Sequence, residues 1–208
     1  MAVYRLDHPL IADRIAVIRN RDTETLRFRA AVDELSGFLA YEFAGHLPTR
    51  EVTVATPIAP AICRQVKRDD VVLAPILRAG LGLLPGVQQV FPKAPVLHLG
   101  IYRDEDSLKP VFYYRRASVA LAGAHLVLLD PMLATGGTVI AALELLAAEK
   151  PGKVTVLCLL ASEDGLQVVT DRFGDVDIFA GAVDPELNDR GYIVPGLGDA
   201  GDRMFGTD

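Results

Sequence analysis

Five short apolar runs constrain the fold of this chain of 208 residues more than any other feature of its sequence. They occupy residues 71–77, 96–101, 126–130, 154–161 and, with a weaker pattern, 176–182. Runs without alternating polar residues are typical of strands that are covered on both faces, as in a parallel sheet. A helical pattern over 138–150, ended by Pro151 and Gly152, joins the third run to the fourth and completes a βαβ unit. The sequence therefore predicts an α/β fold with a mostly parallel central sheet flanked by helices.

A long amphipathic helix is predicted over residues 22–44. Asp22 or Thr23 is expected to cap its start, and Gly45 is expected to end it. Its apolar residues recur at spacings of three and four, which places them in one stripe: Phe28, Val32, Leu35, Leu39 and Phe43. This stripe could face the chain's own core or another subunit.

The charge and the cysteine content of the chain limit the kinds of partner and compartment that we expect for it. The formal net charge is −6, so the chain has no broad attraction to nucleic acid or to anionic lipid. No apolar run reaches the roughly 20 residues of a membrane-spanning helix, and residues 1–14 lack a signal-peptide pattern. Cys63 and Cys158 lie far apart in apolar contexts, and both are expected to be buried and reduced. We therefore expect a cytoplasmic protein without a nucleic-acid or membrane partner.

The loop between the third strand and the following helix predicts a phosphate site. Asp130 ends the strand, and Gly136 and Gly137 allow the backbone to close tightly before the helix begins. Free N–H groups and the helix dipole favour an anion there, and the hydroxyls of Thr135 and Thr138 add donors. Asp130 would repel a phosphate, so we expect it to face a sugar. On spacing alone, a plain turn with Asp130 as a cap is an equal alternative, and no lysine follows the glycines as in a Walker loop.

This loop, Asp130–Thr138 (DPMLATGGT), resembles the phosphoribosyl-diphosphate loop of the type I phosphoribosyltransferases. Residues 75–82 resemble the pyrophosphate loop of that family and residues 100–106 its flexible loop, while residues 191–207 resemble the uracil-binding segment of the uracil branch. The resemblance covers nearly the whole chain. It implies one domain over 1–208, with a phosphoribosyltransferase-type core and a small hood, largely from about 183–208, over the base site.

The resemblance also implies a reaction, in which uracil displaces diphosphate from 5-phospho-α-D-ribose 1-diphosphate and forms UMP. Positive charge develops on the ribose, so positioning and leaving-group stabilisation should dominate, without a protein nucleophile. Mg²⁺ would arrive with the substrate, held mainly by substrate oxygens and water rather than by a protein metal cage. Family members form homodimers or homotetramers, and some respond to GTP, so both properties are expectations for this chain.

The resemblance assigns roles to individual residues. Arg78 and Arg103 would bind the diphosphate, and the Leu77–Arg78 peptide is a candidate for the cis form. Many relatives carry a second acid where this chain has Pro131, so Asp199 is expected to replace it on the ribose diphosphate or on a Mg²⁺-bound water. The expected catalytic residues are Arg78, Asp130 and Asp199. The phosphoribosyl-diphosphate site would add Pro131, Met132, Leu133, Ala134, Thr135, Gly136, Gly137 and Thr138. The uracil site would comprise Tyr192, Ile193, Gly198, Asp199 and Ala200.

Two other functions remain open at this stage. A phosphoribosyltransferase for another base would share Asp130–Thr138 and differ in the carboxyl-terminal segment. A phosphoribosyltransferase-like RNA-binding regulator of pyrimidine genes would need a basic face, whereas the basic clusters, such as 67–68 and 115–116, are small. The chain departs from the family pattern at 161–165, where an expected proline is missing, and at 188–190, which leaves the geometry of these loops undecided.

Overall fold

The computed structural model describes residues 2–103, 110–116 and 120–207, with the side chains of residues 103, 110 and 116 excepted. The strands are β1 (Val3–Arg5), β2 (Thr49–Ala55), β3 (Pro60–Val66), β4 (Val71–Leu77), β5 (His98–Arg103), β6 (Pro110–Arg116), β7 (His125–Leu129), β8 (Met132–Leu133), β9 (Lys153–Ser162), β10 (Asp177–Asp184), β11 (Glu186–Leu187) and β12 (Ile193–Val194). The helices are α1 (Pro9–Arg19), α2 (Thr25–Gly45), α3 (Leu84–Val90), α4 (Gly137–Ala147), α5 (Glu163–Arg172) and α6 (Ala200–Phe205), with a 3-10 turn at Ala79–Gly82.

The central sheet has the strand order β1-β10-β9-β7-β4-β5-β6, and the short strand β8 also pairs with β9. Neighbouring strands are parallel except for β5 and β6, which are antiparallel. The predicted mostly parallel sheet is therefore confirmed. In such a sheet the carboxyl ends of the strands lie at one edge, which is where ligands bind in α/β proteins.

Both faces of the sheet are covered, as the continuous apolar runs predict. Along β4, Val71 and Leu73 pack into a core shared with α1, α2 and α3. The alternating residues Val72 and Ala74 pack into a second core shared with α4 and α5. Successive side chains of a strand point to opposite faces, so a strand between two helical layers is apolar at every position.

The long helix α2 faces the chain's own core. Every residue of the predicted stripe, Phe28 to Phe43, is at most 2% exposed. The helix ends at Gly45 as predicted, but the predicted cap is wrong. It begins at Thr25 with Glu24 in the capping position, because the Thr23 hydroxyl instead donates to the Val17 carbonyl at 2.7 Å.

Two element boundaries differ from the sequence prediction. Helix α4 occupies Gly137–Ala147 rather than 138–150, and its carboxyl end unwinds before Lys150, whose φ is +52°. The second apolar run begins later as a strand, at His98, while Val96 makes only an isolated bridge to Leu73. The remaining predicted strands agree with the structure within two residues.

An antiparallel hairpin, β2–β3, was not predicted. Its two strands pair only with each other within the described chain. It also corrects the expectation for Cys63, which is exposed here, whereas Cys158 is buried as expected. The register places Val52, Val54, Ala61 and Cys63 on one face, where Val54 and Cys63 are exposed and Val52 and Ala61 are half-buried. No residue of either strand is fully buried, so the hairpin lacks the continuous apolar run that marks the strands of the central sheet.

Residues 104–106 of the segment that resembles the flexible loop, 100–106, lie outside the described residues. Arg103 and Pro110 are described as backbone and pair across β5 and β6. Every helix in the described ranges is too short or too polar to traverse a lipid bilayer.

Candidate active site

A cavity of about 800 Å³ opens at the carboxyl edge of the sheet. The predicted phosphate loop contributes Asp130, Pro131, Met132 and Ala134 to its wall, and Ala79 follows β4 beside it. The opposite wall comes from residues 189–193 and 198–201. The two segments are about 60 residues apart in sequence, yet they enclose one cavity. The sequence predicts that one of them binds phosphate and the other the base.

The phosphate loop is held against β9 by backbone hydrogen bonds. The Pro131 carbonyl accepts from the N–H groups of Leu159 at 3.0 Å and Leu160 at 3.1 Å, and the Asp130 N–H donates to Leu157 at 3.2 Å. Leu133 is buried in the core, so only its backbone can meet a ligand. These hydrogen bonds attach the loop to the sheet, so the loop is an extension of the sheet.

The loop ends at the amino terminus of α4. Gly136 has φ +76°, a left-handed conformation that glycine adopts without steric cost, and it occupies the capping position. Gly137 and Thr138 form the first turn of the helix. The free N–H groups and positive end of the helix dipole therefore lie next to the cavity-lining residues, as a phosphate site requires.

Ser162 braces this loop from the neighbouring strand. Its hydroxyl donates to the Ala134 carbonyl at 2.6 Å and accepts from the Gly165 N–H at 2.8 Å, which caps α5. This contact settles the loop geometry at 161–165 and was missed by sequence reasoning. The signal available was a serine followed by Glu163 and Asp164, a common start of a helix.

Asp130 is partly buried at the base of the cavity. Burial raises the pKa of its carboxyl group to about 7, and a long 3.5 Å hydrogen bond from the Met132 N–H opposes this only weakly. Near neutral pH the group therefore exchanges between an acceptor-only carboxylate and a neutral acid.

Arg78 stands at the rim of the site, outside the cavity wall described above. The Leu77–Arg78 peptide is cis, which confirms that expectation. The exposed guanidinium lies 3.7 Å from a carboxylate oxygen of Asp202 in α6. Arg103 ends β5, but its side chain is not among those described, so its predicted contact with diphosphate stays a prediction.

The segment after β10 forms the opposite wall. Ile193 and Ala200 are buried, whereas Tyr192 is 43% exposed over the cavity. Gly198 has φ +82°, and Asp199 caps α6 by accepting from the Asp202 N–H at 2.9 Å. All five residues predicted for the uracil site therefore meet at this wall, and their role in binding uracil stays a prediction.

Four further residues line the cavity: Asp189, Arg190, Gly191 and Gly201. Gly191 and Gly201 belong to the segment 191–207 that resembles the uracil-binding segment, whereas sequence reasoning missed Asp189 and Arg190. The turn that places them depends on Asn188, whose side-chain oxygen accepts from the N–H groups of Arg190 and Tyr192, each at 3.0 Å. An asparagine three residues before a glycine is a typical turn signal, and it could have indicated this geometry.

The cavity offers oxygen donors to a divalent cation. Within the described ranges, histidine, cysteine and acidic side chains do not gather in threes in a way that would hold a metal ion. The carboxyl groups of Asp130 and Asp199 both line the cavity, and Mg²⁺ accepts such oxygens together with phosphate oxygens and water. These residues fit a Mg²⁺ ion that is bound mainly through a phosphorylated substrate.

A slightly larger concavity, of about 940 Å³, lies between β1, α1 and α2. It is lined mainly by apolar and acidic side chains and does not include the phosphate loop or the segment 189–201. The cavity at the sheet edge is the candidate site because of its chemistry, not its volume.

Comparisons with known proteins point in one direction. A family model described as uracil phosphoribosyltransferase matches residues 5–207. The uracil phosphoribosyltransferase of Symbiobacterium thermophilum is 49% identical over 202 residues, which is 97% of each protein. A solved structure from Aquifex aeolicus has a TM-score of 0.94 and 41% identity, and 99% of each chain is covered. A hypoxanthine-guanine phosphoribosyltransferase from Bacillus anthracis, only 10% identical, has a TM-score of 0.51 over 77% of this chain and 80% of its own, which is similarity of fold alone.

The brace at Ser162 generates a stability prediction. We expect Ser162→Ala to lower the free energy of unfolding by about 1 kcal/mol or more, because it removes a helix cap and leaves the Ala134 carbonyl without that donor. Urea unfolding followed by circular dichroism measures the change. Thr170→Ala is the matched control, since the Thr170 hydroxyl bonds to the Gln167 carbonyl on the exposed side of the same helix. Equal losses in the two variants would contradict a bracing role.

Proposed function

Because the chain belongs to the uracil phosphoribosyltransferase family, we propose that it transfers a phosphoribosyl group from 5-phospho-α-D-ribose 1-diphosphate to uracil. The reaction is that of a pentosyltransferase: a ring nitrogen of uracil bonds to the anomeric carbon, the bond to diphosphate breaks, and the nitrogen loses its proton. The observation that carries the proposal is the single cavity lined by both the phosphate loop and the segment 189–201.

The phosphate loop would hold the phosphoribosyl end of the substrate. The 5-phosphate would lie at the amino terminus of α4, between the backbone N–H groups of Thr135–Thr138. Asp130 would accept hydrogen bonds from ribose hydroxyls, and Asp199 would supply the second acidic contact that Pro131 cannot make. Support comes from the position of both carboxyl groups on the cavity wall.

Arg78 and Arg103 would bind the diphosphate. A guanidinium forms paired hydrogen bonds with phosphate oxygens, and it stabilises the negative charge that the leaving group gains. Arg78 would exchange its ion pair with Asp202 for this contact, which is favourable because the pair is exposed and long, at 3.7 Å. Mg²⁺, when bound with the substrate, would neutralise part of the diphosphate charge.

Backbone groups of Ile193, Gly198 and Ala200 would recognise uracil, with Tyr192 packed nearby. Uracil presents an N–H donor between two carbonyl acceptors, and fixed main-chain groups can match this pattern. Cytosine inverts part of the pattern and would leave buried groups unpaired, which can reduce turnover by about 10⁴. The comparisons give no support to the alternative of an RNA-binding regulator, since the matched relatives carry the transferase name.

Three further properties belong to this proposal. The chain would work as one phosphoribosyltransferase domain over 1–208, with residues of about 183–208 as its hood. It would be cytoplasmic, because the free thiol of Cys63 is exposed and suits a reducing compartment. Activation by GTP follows from the resemblance to relatives that respond to it.

An assay of the purified protein tests the function. We expect UMP from uracil and 5-phospho-α-D-ribose 1-diphosphate with Mg²⁺, loss of product without Mg²⁺, and no product from cytosine, adenine, hypoxanthine or orotate. Chromatography measures the product, and parallel reactions with GTP test activation. Product from another base alone would contradict the assignment of residues 189–201 to uracil, while retaining that of the phosphate loop.

The raised pKa of Asp130 predicts a pH dependence. Because the pKa is about 7, the neutral acid predominates below that pH and the carboxylate above it. Only the carboxylate accepts hydrogen bonds from both ribose hydroxyls, so kcat/KM for the phosphoribosyl substrate should rise as pH increases through about 7. Asp130→Asn should remove this rise and lower the plateau, whereas Asp175→Asn, at an exposed position, should keep both. If the rise of kcat/KM persists unchanged in Asp130→Asn, titration of the substrate's own phosphate causes it instead.

The open hairpin supports a homodimer or homotetramer. The apolar residues on one face of β2–β3 are exposed or only half-buried in the isolated chain, and burying apolar surface favours association. We expect light scattering to give two or four times the 22.4 kDa of one chain. Val54→Glu should reduce this mass, because it places a charge in that face. Val168→Glu, at an exposed valine of α5, is the control, and a mass of one chain for the unmodified protein would contradict the proposal.

A further inference from the structure

A largely buried ion pair lies behind the proposed uracil wall. Arg19, the last residue of α1, donates to Asp184, the last residue of β10, through two hydrogen bonds of 2.7 and 2.6 Å. The side chains are 23% and 7% exposed. Two parallel bonds between a planar guanidinium and a carboxylate fix orientation as well as distance.

The ion pair forms hydrogen bonds with one residue, Gly196, of the loop between β12 and α6. Arg19 also donates to the Gly196 carbonyl at 2.9 Å, and the Gly196 N–H donates to Asp184 at 3.0 Å. Both polar backbone groups of Gly196 are therefore bound by the same ion pair. Only glycine suits this position, since its φ is +58° and a Cβ would lie 2.1 Å from the Ile193 carbonyl oxygen.

A second arginine holds the adjacent residue. Arg203 donates to the Leu197 carbonyl at 2.9 Å and to the Asn20 carbonyl at 2.7 Å, and its guanidinium lies 4.5 Å from the centre of the Phe28 ring. Residues 196 and 197 are thus tied to the end of α1 and to α2. Cavity-lining residues lie on either side of them, with Ile193 three residues before Gly196 and Gly198 directly after Leu197.

We propose that the Arg19–Asp184 pair is a positioning element for base recognition, which holds residues 193–198 in the one backbone arrangement that matches uracil. This inference rests on the proposed function of the cavity. Recognition through backbone groups needs donors and acceptors held within a fraction of an ångström, and a loop cannot provide this without support from rigid elements. Neither Arg19 nor Asp184 lines the cavity, so the pair acts through Gly196.

The energetics of buried charge fit a positional role better than a stabilising one. Removing two charges from water costs free energy that their attraction often only offsets, and a well-packed apolar pair is frequently as stable. An apolar pair could not bind the N–H and carbonyl of Gly196. The hydrogen bonds to Gly196 are therefore the feature of this ion pair that an apolar pair could not replace.

The test uses three variants of the full chain. Arg19→Lys keeps the charge but loses the paired bonds. The double variant Arg19→Met with Asp184→Leu removes both charges, so that no buried charge remains unpaired and folding is retained. Arg5→Lys is the matched control, because Arg5 makes the same two-bond contact with Glu163, at 2.8 and 2.7 Å, on the exposed surface.

We expect the KM for uracil to rise by about tenfold or more in Arg19→Lys and in the double variant. Without the paired bonds the loop can shift, and its backbone groups are then no longer oriented toward uracil. The KM for 5-phospho-α-D-ribose 1-diphosphate should stay within about twofold, since the phosphate loop is braced separately by Ser162. Arg5→Lys should change neither constant. Circular dichroism and urea unfolding establish that each variant is folded.

Hydrogen exchange gives a readout that does not depend on turnover. In the double variant the Gly196 amide loses its acceptor and should exchange at least about tenfold faster than in the unmodified protein, with the core strands unchanged. An unaltered uracil KM in both Arg19 variants would overturn the proposal, as would an equal rise in KM for both substrates. An unmodified protein that makes no UMP would refute the proposed function instead, whatever the exchange rates of Gly196.

Discussion

Two-sided burial of a parallel sheet is the constraint on which the rest of this structure depends. Strands covered by helices on both faces must run in one direction through crossover helices, so their carboxyl ends meet at one edge. Here β4, β7, β9 and β10 end beside one another, and each leads into a segment at or behind the candidate site. The meeting of distant residues at one cavity is thus a consequence of how the apolar runs are buried.

Two of these strand ends hold the two walls of the cavity through hydrogen bonds. Ser162 and Asp184 are paired in register at the ends of β9 and β10. Ser162 binds the phosphate loop through the Ala134 carbonyl, and Asp184 binds the opposite wall through Gly196. The two walls of the cavity are therefore attached to neighbouring strand ends of one sheet, which fixes the separation between the walls.

The sequence predicted what burial and local backbone chemistry determine. Apolar runs located the strands because a doubly covered strand has few polar positions, and the glycines of 136–137 located the turn that precedes α4. It did not predict the β2–β3 hairpin, in which no residue is fully buried, nor the helix start at Thr25, because the Thr23 hydroxyl is used elsewhere. The Arg19–Asp184 pair spans 165 residues of sequence, and such contacts leave no local pattern. Its position became evident only once the strand ends were placed.

An acidic chain that binds a polyanionic substrate must provide positive potential locally, at the binding site. The formal net charge is −6, and Asp130 and Asp199 face the cavity itself. Burial raises the pKa of Asp130 to about 7, so part of its charge is absent until a ligand with hydroxyl donors favours the carboxylate. Asp202 is paired with Arg78, and the amino terminus of α4 supplies positive potential without any cationic side chain. If diphosphate takes Arg78 from Asp202, the freed carboxylate adds negative charge at the rim behind the substrate. Release of the diphosphate would then be favoured by the same acidic surroundings that make its binding demanding, which suits a site that acts by positioning and by stabilising the leaving group.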